Sequence, residues 1–163
     1  MKQIIKHIKL LSLILILCSC KDEKFSFQKI PYTGDELRTN GYYFTSYQTL
    51  GTNYIIVNFL FRDGTILSAG SFENLGFNVV EQKLLERYEL IRKNKIGWGV
   101  FQVIEDIIIS ETWTTNSGGV GLPVYKWSAK IENDTTFLRN DSNQTWHYKQ
   151  FSPKPDSTNR FIP

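Results

Sequence analysis

Cysteine and histidine are the side chains that most often carry metal, redox or nucleophilic chemistry, and this 163-residue chain has two of each. Cys18 and Cys20 stand one residue apart in "LILILCSCKDEKF" (Leu13–Phe25), at the end of an apolar run. A C-x-C pair can grip a metal or cycle between thiol and disulfide, but either use needs both thiols in the folded domain. His7 precedes that run, which leaves His147 as the one histidine of the rest of the chain. A zinc site needs several His or Cys ligands, and none can be assembled around His147. A Ser-His-Asp arrangement could use it, yet no G-x-S-x-G nucleophile elbow is present. In "TWHYKQF" it alternates with Trp146 and Tyr148, which assigns it to the solvent side of a strand.

The other chemical candidates reduce to turns and loops. Adjacent carboxylates at Glu105-Asp106 invite acid–base work, but neighbours in a hairpin turn point in different directions. The glycine-rich "NSGGVGLP" (Asn116–Pro123) leads through a proline into a strand. A phosphate-cradling loop leads into a helix N-terminus, so a rim loop able to grip a partner is expected instead. Aromatic side chains remain, mostly on strand faces assigned inward, and among them Phe59, Phe61, Trp98, Tyr125 and Trp127 are singled out. They are the candidate lining for one small apolar ligand, or the filling of a solid core. No cofactor is implied, and the chain is expected not to be an enzyme.

The segment before Cys20 sets the address. Lys2, Lys6 and Lys9 form a positive start, and Leu10–Cys18 is an apolar core broken only by Ser12. That length suits the ~7–15 residues of a secretory core and falls short of the ~20 needed to span a bilayer. Leu17-Cys18-Ser19-Cys20 resembles the bacterial lipoprotein box. The resemblance implies cleavage before Cys20, acylation of its thiol, loss of Cys18 and anchoring of residue 20 in a lipid bilayer. A single acyl chain binds membranes only marginally, so the two or three of that family would hold the protein permanently. No free cysteine then remains for a metal, redox or disulfide role. Lys21-Asp22-Glu23 resembles the short charged signal that sends some Gram-negative lipoproteins to the outer face of the outer membrane. Asp134-Thr135-Thr136 and Asp156-Ser157-Thr158 resemble short O-glycosylation acceptors.

Charge excludes one class of partner. Without Lys2, Lys6 and Lys9 the basic residues fall from 19 to 16, equal to the 16 acidic ones. Net charge is then zero, and nucleic-acid binding has no electrostatic basis.

The elements that must position these residues follow from periodicity. Residues 1–19 read as the signal, 20–37 as a tether, 38–151 as one β domain and 152–163 as a Pro-rich tail. "GYYFTSY", "YIIVNFLFR", "TILSAG", "GWGVFQVI", "IIISETW", "VYKWSAKI", "TTFLRN" and "TWHYKQF" alternate with period two, giving eight strands. Asp63-Gly64, Glu105-Asp106 and Glu132-Asn133-Asp134 supply hairpin turns between them. Asn78–Asn94 instead places Val80, Leu84, Tyr88 and Ile91 on a helical stripe. Asn78 with Glu81 predicts a capping box, and Arg92, Lys93 and Lys95 suit the helix C-terminus.

Eight hairpin-linked strands in a small domain close readily into an antiparallel up-and-down barrel, because closure removes exposed edges. A two-sheet sandwich is the alternative. Gly41 to Phe151, and "GWGVFQVIEDIIIS" in particular, resemble the lipocalin-like barrels of exported bacterial proteins. The resemblance implies a mainly β fold, here with one helix between strands three and four, and a small apolar ligand in the barrel. The family's Gly-x-Trp stands here as Gly41-Tyr42-Tyr43, and its helix normally follows the last strand. A protein partner gripped by surface loops around a solid core is the competing expectation.

Overall fold

The structure is a computed structural model that describes residues 22–115 and 121–162. Eight strands form one closed antiparallel barrel in sequence order: β1 (Gly41–Thr49), β2 (Thr52–Leu60), β3 (Thr65–Glu73), β4 (Trp98–Ile104), β5 (Ile107–Trp113), β6 (Val124–Asn133), β7 (Thr136–Arg139) and β8 (Thr145–Gln150). β8 closes on β1 through Gly41 opposite Gln150 and Tyr43 opposite Tyr148. A single helix, α1 (Phe77–Ile91), lies between β3 and β4. The expected up-and-down barrel, with its helix in the expected place, is therefore the fold. Among the described residues no helix is long and apolar enough to cross a membrane.

Strand alternation gives the connections two ends. The β1–β2, β3–β4, β5–β6 and β7–β8 connections lie at one end, called upper here, and the remaining hairpins at the lower end. Two turns show why these residues suit them. At the lower end Gly64 has φ +85°, and a Cβ there would stand 2.1 Å from the carbonyl oxygen of Ile30. Asp63 Oδ1 accepts from Thr65 N at 3.0 Å, completing a turn that only glycine fits. At the upper end Leu50 and Gly51 both take positive φ, 48° and 79°, as a primed two-residue hairpin requires.

Side chains divide into two cores, one on each side of the barrel wall. Paired residues on neighbouring strands share a face. The set Tyr43, Leu60, Ile66, Phe101, Ile108, Trp127, Phe137 and Trp146 takes one member from each of the eight strands, so it is the interior. The second set, which includes Tyr42, Val57, Phe59, Leu67 and Trp98, covers the outside of β1–β5. There α1 lays Val80 and Leu84 on the wall, with Tyr88 and Ile91 half-buried beside them, as the helical stripe predicts.

The helix start differs from expectation. Gly76 is the N-cap, no side chain caps the first turn, and Asn78 lies inside the helix. Glu81 is engaged elsewhere: its Oε1 accepts from the Tyr42 hydroxyl at 3.0 Å and pairs with Lys149 at 3.1 Å. A carboxylate drawn to the barrel wall cannot also reach back to the cap. Arg92, Lys93 and Lys95 follow the last helical residue, where Arg92 pairs with Glu89 at 2.8 Å.

Both terminal segments are parts of the packed domain. The stretch read as a tether runs down the outside of β5 and β4, then crosses the lower end. Glu23 N donates to Leu122 O at 2.9 Å, and Gln102 Nε2 donates to Gln28 O at 3.1 Å. Tyr32 N donates to Arg62 O at 2.8 Å, and Arg38 N to Asp134 O at 3.1 Å. Leu37, 1% exposed, joins the interior core with Tyr32. Residues beyond Gln150 return along the outer wall, burying Phe151 and Ile162. Apolar side chains in a nominal tether find a partner whenever a bare barrel wall is within reach.

Candidate functional site

Aromatic side chains pack the interior. Phe137 stacks on Trp127 and Trp146 with ring centroids 6.0 and 5.8 Å away, and Tyr43 meets it from β1 at 5.0 Å. At the lower end Tyr32 and Leu37 close the mouth, with the Tyr32 ring 5.8 Å from Phe101. Burial beside Glu36 pushes the Tyr32 hydroxyl up to about 12, so it donates to Glu36 Oε2 at 2.8 Å across the ordinary pH range. Near the upper mouth the Arg139 guanidinium stands 4.8 Å from the Trp127 ring centroid. It donates to the Tyr125 hydroxyl at 2.8 Å and pairs with the Asp141 carboxylate. The guanidinium is held firmly there, because it is attracted to the rings as well as to the acid.

The five aromatics expected to line a ligand site are not brought together. Phe59, Phe61 and Trp98 belong to the outer core, where Phe61 stacks on Trp98 at 6.1 Å and Trp98 Nε1 donates to Ile91 O at 3.0 Å. Trp127 belongs to the interior core, and Tyr125, 45% exposed, sits beside Arg139 near the upper mouth. The barrel wall separates the two groups, so no single ligand can touch all five.

The remaining chemical candidates are scattered. His147 is exposed on the outer face with its ring 6.0 Å from Phe44. Asp106 pairs loosely with Lys130 at 3.9 Å, and Glu105 takes positive φ in the turn. Within the loop expected to grip a partner, residues 116–120 lie outside the described residues, as do Cys18, Cys20 and Lys21. Leu122 is pinned, its N donating to Asp22 Oδ1 at 3.0 Å. Among the described residues no group of three or more His, Cys, Asp or Glu could hold a metal ion.

An apolar recess of about 360 Å³ lies outside the barrel, where the two terminal segments meet β4 and β5. Phe25, Phe27, Val100, Trp113 and Phe161 form its walls. The Phe25 ring is 4.3 Å from Trp113, and the Lys95 ammonium stands 5.2 Å from the Trp113 ring and 5.3 Å from Phe161. Lys95 also pairs with Asp22, which holds that carboxyl below its usual range. Below this recess Glu111 is buried in the wall. Burial alone would raise its carboxyl, but hydrogen bonds from Lys126 at 2.7 Å and from Ser26 hold it below the carboxylate range. The segment is thus fastened by its own acids and amides. Sequence reasoning passed over these walls because Phe25 and Phe27 lie in a stretch read as tether, although "FSF" has the alternation of a segment lying on a sheet.

Comparison with protein-family models, curated proteins and solved structures finds no match to this chain.

Proposed function

We propose that this chain is an exported lipoprotein of the cell envelope, held in the outer membrane by an acylated Cys20, whose barrel is a solid scaffold acting through its outer surface. The aromatic packing of the interior carries the second half of this reading. With Tyr43, Phe101, Trp127, Phe137 and Trp146 packed inside and Tyr32 and Leu37 across the lower mouth, recognition falls to the outer wall and the ends. The first half rests on Lys2, Lys6 and Lys9, the short apolar core and the Leu17-Cys18-Ser19-Cys20 box. A role without catalysis belongs to the same reading, since His147 is exposed against Phe44 rather than set in a cleft. Cys20→Ser is expected to release the protein from the membrane fraction or leave its signal uncut. A Cys20→Ser protein that stays in that fraction at mature size would contradict the anchor.

The recess at Trp113 favours a second reading, a small apolar ligand held outside the barrel. Its volume of about 360 Å³ is on the ~300–1,000 Å³ scale of small-molecule sites. Lys95 at its rim suits an acidic head group. Tryptophan emission that responds to a fatty acid in the native protein, but not in Trp113→Phe, would support it.

A further inference from the structure

The exposed large apolar side chains are unevenly placed. Among the described residues Leu50, Leu75, Leu90 and Ile96 all belong to the β1–β2 or β3–β4 connections of the upper end. At the lower end only Ile30 and Ile104 are comparably bare. Leu50 is the extreme case. It is fully exposed at the tip of a hairpin, and it takes a φ of 48° where asparagine or glycine is the low-strain choice. A leucine there adds nothing to the packing of its own chain, so its side chain is available only to something outside.

Charge and chain path point to the same end. The tail is tied to the end of α1 by Asn159, whose Nδ2 donates to Arg92 O at 3.3 Å and Asn94 O at 3.1 Å. This brings Arg160 beside Arg92 and Lys93 around a recess of about 450 Å³. Glu89 answers Arg92 and Asp22 answers Lys95, so the surplus positive charge is on Lys93 and Arg160. Asp22, bonded to Leu122 N of the β5–β6 connection and paired with Lys95 next to Ile96, marks where the chain enters the described domain. The apolar run Leu10–Cys18 and Cys20 immediately precede that point in sequence.

We infer that the upper end of the barrel rests on an anionic phospholipid surface, with Leu50 and Leu75 inserted among the lipids and Lys93 and Arg160 facing lipid phosphates. The inference rests on the Cys20 anchor proposed above and adds an orientation to it. An anchor at residue 20 leaves only Lys21 between the lipid and Asp22, so the upper end is the end held against the membrane. Apolar prongs flanked by cations are what an interfacial surface needs, because acyl chains accept the former and phosphates the latter.

The test uses the anchored full-chain product isolated from membranes and reconstituted in phosphatidylglycerol-containing vesicles with brominated acyl chains. Leu50→Trp, Leu75→Trp and, at the opposite end, Ile104→Trp are compared with the native protein, whose four tryptophans are buried. A side chain seated ~5–10 Å into the interface should be quenched at least about twofold more than one held in water. Leu50→Trp and Leu75→Trp are expected to show that excess and Ile104→Trp to match the native protein. Equal quenching at both ends, or none above native at Leu50 and Leu75 in protein that still floats with vesicles, overturns the orientation and leaves the anchor standing. Retention of mature Cys20→Ser in membranes overturns the anchor instead, and the quenching pattern of that retained protein still decides the orientation.

Discussion

Lys154 shows how a single tail residue is bound into the fold. Its ammonium donates to Leu60 O at 2.7 Å and to Thr39 O, and lies 4.2 Å from the Phe61 ring centroid. Burial pushes it down to about 8 from 10.5, against the pull of Asp63. A neutral amine keeps two N–H groups, enough for both carbonyls. Because the folded value lies below the unfolded one, the unfolded chain binds more protons between about pH 8 and 10.5. Stability from this group therefore rises with pH across that window and is flat below it. Denaturant titrations at pH 7.5 and 9.5 should show a gain on the order of 1 kcal/mol that Lys154→Met lacks. Above pH 10 the trend reverses, since burial raises the hydroxyls of Tyr32, Tyr42, Tyr43 and Tyr88 and their ionisation favours the unfolded chain.

At the scale of elements, the terminal segments finish what the strands begin. β2 and β3 are apolar on both faces, so a barrel alone would leave Phe59, Leu67 and Phe72 in water. α1 and the two terminal segments cover that wall, and at Gly64 the N-terminal segment passes tightly over the β2–β3 hairpin. Gly64→Ala adds a methyl 2.1 Å from Ile30 O at a φ of +85°. It is expected to cost about 2 kcal/mol or more and to loosen residues 30–38 from the lower mouth. The measurement is a denaturation midpoint together with protease sensitivity of that segment. A midpoint lowered without new cleavage would confine the effect to the turn itself.

Taken whole, the molecule is a plugged cylinder with a coat on one side. Its tryptophans report the two compartments separately. Trp127 and Trp146 stand in the interior core, whereas Trp113 borders the outer recess. An amphiphile with an acidic head should therefore change emission through Trp113, and Trp113→Phe should remove most of the response. Phe substitutions at Trp127 are expected to leave the response in place. If the response vanished with Trp127 and survived loss of Trp113, the interior would be the binding compartment and the scaffold reading would fail.

Local pattern by itself determined the number of strands and the type of the odd element. Period-two runs interrupted by Asp-Gly and acidic turns pair readily with their neighbours, whereas closure of the last strand on the first, rather than a two-sheet sandwich, was decided by the tertiary structure. Val80, Leu84, Tyr88 and Ile91 likewise share one face only on a helix, because on a strand Ile91 would point away from the other three. The sense of each face was decided by tertiary structure. Alternation says that Phe59 and Leu60 point to opposite sides, yet both are apolar and neither names the interior. Closure with Tyr43, Phe137 and Trp146 made Leu60's side the inside, and helix and tails made Phe59's side a second core. For the same reason the proposed lining residues fell on two sides of one wall. The caps and plugs were equally out of reach, because Glu81 is taken by Tyr42 and Lys149, and Arg139 is seated by Tyr125 and Asp141. Contacts between residues far apart in sequence carry no local period, so their outcome is settled only when the whole chain is packed.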